Sequence, residues 1–101
     1  MVAASYVLTP HAQEDVDLEV DNIEEEGAAL RWIDDIHDAL QRLGQTPGLG
    51  HARSDITSHD VLFWTFRKRW AVIYLMGSPI TVIRVVPWLR VTPGFWIGAG
   101  W

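Results

Sequence analysis

The sequence predicts a two-layer α+β fold: a helical hairpin packed on a mainly antiparallel four-stranded sheet, in the order β-α-α-β-β-β. Three observations lead there. Apolar residues between positions 12 and 43 recur at spacings of three and four, the period of a helix face. Residues 61–86 fall into three runs rich in β-branched and aromatic side chains, and residues 44–60 between these regions are dense in Gly, Pro, Asp and Ser. A length of 101 residues suits one domain, 1–101, with two layers around its core.

Residues 5–8 read as a short strand. Thr9 can cap a helix and Pro10 suits its first position. Ala12, Val16, Val20 and Ile23 then stack on one face. Glu14, Asp15 and Asp17 complement the helix dipole at the start, whereas Glu24, Glu25 and Glu26 oppose it, so this helix is expected to end just before Gly27. A second helix is expected over 28–44, with Ala29, Ile33, Ile36, Leu40 and Leu43 as its apolar seam and Pro47 beyond its end. After the long loop come strands at 61–66, 70–76 and 80–86. Arg67-Lys68-Arg69 and Gly77-Ser78-Pro79 join them and are short enough for hairpins. Pro87 closes the last strand, and the tail 88–101 has no clean period.

Charge is divided along the chain. Residues 1–60 hold all 13 acids and three Lys/Arg, a balance of −10; residues 61–101 carry +5 and five of the six tryptophans. Net acidity disfavours a protein whose main work is gripping nucleic acid, and no direct sequence-specific nucleic-acid binding is expected. The absence of cysteine excludes disulfides and thiolate metal sites. No apolar run approaches the length of a membrane span, and the first residues lack the pattern of a secretion signal, so the expected compartment is the cytoplasm.

Strand alternation sorts the sheet's side chains into two sets, and neither is polar. Trp70, Val72, Tyr74 and Met76 oppose Ala71, Ile73 and Leu75; Ile80, Val82, Arg84 and Val86 oppose Thr81, Ile83 and Val85; Leu62, Trp64 and Phe66 oppose Val61, Phe63 and Thr65. Burying a large apolar side chain is worth about 1.5–3 kcal/mol, and two helices can cover one face only. The aromatic tail, a second copy or a different protein could cover the other. The expectation is a second protein, because Arg84 among apolar neighbours suits an incoming carboxylate.

Chemistry-bearing clusters are few. His51 and His59 share a loop with Asp55 and Asp60, but the spacing makes no metal site, and neither metal nor cofactor is expected. No glycine-flanked nucleophile or phosphate-cradling loop is present. His51, Arg53 and Asp55 are read as a brace pinning the long loop to the sheet edge. Arg67, Lys68 and Arg69 at a hairpin tip, with Arg84 and Arg90, could form a basic rim.

Several stretches taken together resemble the RelE/ParE superfamily of bacterial toxins, closer to ParE. They are Tyr6-Val7-Leu8-Thr9-Pro10-x-Ala12 leading to Asp15, Pro47-x-x-Gly50-His51-x-Arg53-x-Asp55-Ile56, Leu62-Phe63-Trp64, Val72-Ile73-Tyr74 and Ile83-Arg84-Val85-Val86. The likeness spans roughly residues 5–90 and implies the toxin half of a toxin-antitoxin pair. A cognate ParD-like antitoxin with a DNA-binding N-terminal domain would wrap its C-terminal segment around the toxin in a hetero-oligomer. On that reading Trp70, Val72, Tyr74, Val82 and Arg84 are the expected antitoxin contacts.

RelE-like members cut messenger RNA on the ribosome with basic side chains and, in the best-known cases, a tyrosine near the C-terminus. Here Ala71 stands where such enzymes carry an arginine, and the tyrosines are Tyr6 and Tyr74, both in strands. The resemblance to ParE therefore implies an inhibitor that binds DNA gyrase without chemistry of its own. Arg84, Arg90, Trp88, Trp96 and Trp101 are its expected target contacts. The family's usual His-Gly-x-Arg-Asp ending departs here to Val86-Pro87-Trp88-Leu89-Arg90-Val91, which keeps only the arginine. An endoribonuclease of the RelE type and a non-toxic partner-binding member are the alternatives.

Overall fold

The computed structural model describes residues 5–93. The elements follow the expected order: β1 (Tyr6–Leu8), α1 (Pro10–Asp21), α2 (Glu26–Gln45), β2 (Leu62–Phe66), β3 (Trp70–Leu75) and β4 (Ile80–Pro87), with 3-10 turns at Pro47–Leu49 and Trp88–Arg90. The sheet order is β1-β4-β3-β2. Both hairpins pair antiparallel, while β1 runs parallel to β4, so the sheet is mixed. A parallel pair needs a long connection, and here the rest of the fold supplies it.

The Thr9 side chain accepts a hydrogen bond from the Ala12 amide at 3.2 Å and donates to the Ile83 carbonyl at 3.2 Å, so one hydroxyl both starts α1 and ties it to β4. Pro10 follows at the first helical position. The helix stops at Asn22, short of the three glutamates. Those acids open α2 instead of closing α1. The Glu25 carboxylate accepts from the amides of Gly27 and Ala28, each at 2.8 Å, and Glu26 sits in the first turn, where negative charge is favourable.

Five α2 residues are buried: Trp32, Ile36, Ala39, Leu40 and Leu43. Trp32 and Ala39 thus replace Ala29 and Ile33 of the expected seam. Ile33 turns toward α1, beside Val16 and Val20, because α2 is gripped by sheet and helix on adjoining faces. Trp32 sits edge-on to Phe66 (ring centroids 5.7 Å apart) and to Trp70 (5.5 Å), the arrangement that ring quadrupoles favour. At the other end of α2, a Cβ on Gly44 would stand 2.2 Å from the Ser5 carbonyl oxygen, so only glycine lets α2 lie this close to the β1 segment.

The helix-covered core holds Trp70, Val72, Tyr74, Ile80, Val82 and Val85 from the sheet. On the opposite face Val61, Phe63, Ile73 and Ile83 form a second core with Ile56 of the long loop, and Leu75, Trp88 and Val91 pack against it. The face expected to await a second protein is therefore largely closed by this chain's own loop and C-terminal segment. Strict alternation also fails in β4. Ile73 pairs with Arg84 and Tyr74 with Val82, which leaves Ile83 as a bulge. The extra residue reverses the facing of everything after it, so Val85 faces the helices with Val82.

Candidate functional site

Four of the five expected antitoxin contacts, Trp70, Val72, Tyr74 and Val82, lie buried beneath the helices. The alternation separated them correctly from Ala71 and Ile73 but could not say which set the helices would claim. Both sets are apolar, so the facing is set by packing against α1 and α2 and not by the pattern along any one strand. None can meet a partner while the helices stay in place. Tyr74 is also a structural tie: its hydroxyl donates to the Pro47 carbonyl at 2.5 Å and accepts from the Gly50 amide at 2.9 Å. Burial pushes its phenol pKa up.

Arg84, the fifth, meets a carboxylate from its own chain. Its Nε and Nη2 donate to Asp15 at 2.8 and 3.1 Å, and the pair is 17% and 11% exposed. The expected role of Asp15 at the helix dipole gives way to this ion pair. Ala71 is buried in the middle of the sheet.

The loop residues assemble as a brace around Trp88. Arg53 donates to both Asp55 oxygens, at 2.9 and 2.8 Å, and that bonding holds the Asp55 carboxyl below the usual range. The same guanidinium lies 5.8 Å from the centre of the Trp88 ring. His51 exchanges two backbone hydrogen bonds of 2.8 Å with Phe63, attaching the loop to the outer edge of β2. Phe63 stacks on Trp88 at 6.0 Å, and the indole N–H donates to the Thr65 hydroxyl at 3.1 Å. Two of the expected target contacts, Trp88 and Arg90, lie in the 3-10 turn that ends here. Trp96 and Trp101 lie outside the described residues.

Next to Trp88 a recess of about 520 Å³ is lined by Lys68, Arg69, Pro87, Leu89 and Arg90. Leu89 is 95% exposed. The Trp88 amide donates to the Arg69 carbonyl at 2.9 Å, which fixes the 3-10 turn beside the β2–β3 hairpin. At the hairpin tip Arg67 and Lys68 have φ of 51° and 59°, the left-handed region normally left to glycine and asparagine. Arg67 pairs with Asp35 of α2. Among the described residues Lys68, Arg69 and Arg90 have no ion-pair partner. Sequence reasoning noted this basic rim but not Leu89, whose exposure no local pattern signals.

Among the described residues no group of histidines and acids could hold a metal ion, and no helix is long and apolar enough to cross a membrane. What the surface offers is three cations around the exposed Leu89 and the half-buried Trp88, an arrangement suited to gripping an acidic macromolecule.

Comparison with known proteins places these features in context. A family model described as "ParE toxin of type II toxin-antitoxin system, parDE" matches residues 6–87. Among solved structures, the chain is similar to one described as "Chromosomal ParDE TA system from P. aeruginosa". The TM-score is 0.65 at 20% identity, over 81% of this chain and 92% of that chain. At that identity the likeness is one of fold. Comparison with curated proteins finds no match.

Proposed function

The chain belongs to the ParE toxin family of type II toxin-antitoxin systems, and from that premise we propose that it inhibits DNA gyrase by binding and is neutralised by a cognate antitoxin. The observation behind this reading is the surface formed by Lys68, Arg69 and Arg90 around Trp88 and Leu89. In the second half of the chain Arg67 and Arg84, like Arg53 of the loop, are engaged by carboxylates of this chain, so the target contacts of the basic rim fall to Lys68, Arg69 and Arg90 with their apolar neighbours. Arg84 thus acts by holding the fold rather than by touching the target. The family's pairing of toxin with antitoxin supports a protein neutraliser that binds the assembled surface, since the expected contact residues under the helices are closed off.

Expression of the chain alone in bacteria tests the proposal. Growth arrest, loss of negative supercoiling in a reporter plasmid and a DNA-damage response are expected, with relief on co-expression of the neighbouring antitoxin gene. Lys68→Glu with Arg90→Glu is expected to abolish arrest while the fold persists. Normal supercoiling together with codon-phased messenger cleavage would replace this reading with the ribonuclease one. Tight antitoxin binding without any growth effect would leave a partner-binding module.

A further inference from the structure

The β2–β3 tip and the 3-10 turn after β4 are tied side by side through the Trp88 amide, and the recess between them is lined by Lys68, Arg69 and Arg90 with Pro87, Trp88 and Leu89. No carboxylate lines it. The last acidic residue in the sequence is Asp60, so the elements that build this end of the molecule bring no acid of their own. Asp35 and Asp55 reach this end from α2 and the long loop, and each is already paired, with Arg67 and Arg53. Leu89 stands out from the same surface: at 95% exposed, it touches almost nothing of its own chain. Residues 91–101, which follow the turn, carry no charged side chain and include Phe95, Trp96, Ile97 and Trp101; of these, residues 94–101 lie outside the described residues.

Together these features select among anionic partners. Nucleic acid would engage the cations but leave Leu89 and the uncharged aromatic run without a role. A protein surface must carry a socket shaped for Leu89. An anionic bilayer needs no matching shape. Its phosphates meet Lys and Arg, a protruding leucine enters the boundary of the acyl chains, and Trp and Phe are side chains that favour that interface.

We propose that this end of the chain binds the surface of an anionic phospholipid bilayer, with a headgroup phosphate among Lys68, Arg69 and Arg90 and with Leu89 inserted beside it. A surface contact needs no spanning helix, and none is present among the described residues. Attachment by so few groups is reversible, so the chain exchanges between bilayer and solution. The surface is the one that the proposed function assigns to the target, so bound lipid covers it and holds the inhibitor in reserve. The inference rests on that surface and not on gyrase: vesicle binding can fail while supercoiling is still lost, and the reverse.

The test sediments the full chain with vesicles of phosphatidylglycerol mixed into phosphatidylcholine, and with vesicles of phosphatidylcholine alone. Binding is expected to the first, is expected to weaken as salt is raised, and should fall about fivefold in Arg90→Gln, the worth of one cation near a charged bilayer. Because the chain has no cysteine, Leu89→Cys carries an environment-sensitive fluorophore at one place, and Leu30→Cys on α2, another exposed leucine, is its control. The label at position 89 is expected to shift to the blue on the anionic vesicles, and the label at position 30 is expected to stay unchanged. Both positions lie on the surface, so the fold survives the substitutions, as circular dichroism verifies. Equal sedimentation with neutral vesicles, none with the anionic ones, or equal shifts of the two labels would overturn the proposal. Tighter binding to short duplex DNA at matched phosphate concentration would overturn it in favour of nucleic acid.

Discussion

The Asp15 carboxylate receives three hydrogen bonds: Arg84 Nε at 2.8 Å, Arg84 Nη2 at 3.1 Å and the Val85 amide at 3.0 Å. β1 pairs with β4 only as far as Val82, so beyond that point β4 would present an unpaired edge. Asp15 reaches down from α1 and supplies the missing acceptor. One side chain thereby seals the sheet edge, satisfies a guanidinium that is mostly out of water and orients the first helix.

Asp15→Ala should therefore cost about 3 kcal/mol, the scale for removing one partner of a largely buried ion pair. Urea denaturation would measure it. Asp15→Ala combined with Arg84→Met should be less destabilised than Asp15→Ala alone, because the pair's value lies partly in not stranding the other charge.

Gly50 and Tyr74 make a second discrete tie. A Cβ on Gly50 would stand 2.5 Å from the Tyr74 hydroxyl and 2.8 Å from the ring, against a side chain that cannot move because it is buried under α2. Gly50→Ala is expected to destabilise the protein by about 1–3 kcal/mol through overpacking. Tyr74→Phe should cost about 1–3 kcal/mol by leaving the Gly50 amide without its acceptor. Thermal unfolding of both variants checks the two values.

The hairpin tip offers a substitution of opposite sign. Lys68 holds φ at 59°, a conformation in which glycine avoids steric cost. Lys68→Gly should stabilise the fold by about 1 kcal/mol. It should also weaken growth inhibition, since it removes one of the three cations at the proposed target surface. Stability from denaturant melts and toxicity from plating efficiency should therefore move in opposite directions.

Two exposed carboxylates make stability depend on acid. Glu25 is held below its ordinary pKa by the amides of Gly27 and Ala28, and Asp55 is held below its own by Arg53. A depressed folded pKa means the stabilisation is complete above the ordinary carboxylate range and is lost as pH falls through the lowered value. Glu25→Ala should lower the melting temperature at neutral pH. The difference from the unaltered chain should narrow in acid, once Glu25 is protonated in both states, as circular dichroism melts across pH would show.

Local signals carried most of the architecture. Thr9 and Pro10 mark the start of α1 by chemistry confined to a few residues, and β-branched runs mark β2, β3 and β4 because each strand's preference is intrinsic to its own side chains. The three glutamates show the limit: acids between two helices can belong to either dipole, and the decision rests on which amides lie within reach of Glu25. The family resemblance was readable for a related reason. Its motifs follow the chain order of elements, which folding preserves.

Facing and pairing were beyond local reading. Alternation separated Trp70, Val72 and Tyr74 from Ala71 and Ile73, yet both sets are apolar, and only the three-dimensional packing assigns one to the helices and the other to Ile56 and Trp88. The Asp15–Arg84 pair joins residues 69 positions apart, and the Ile83 bulge depends on the register of β4 against β3. Such contacts form because helices and strands are brought together by burial, whose energy depends on summed area and not on the identity or spacing of sequence neighbours.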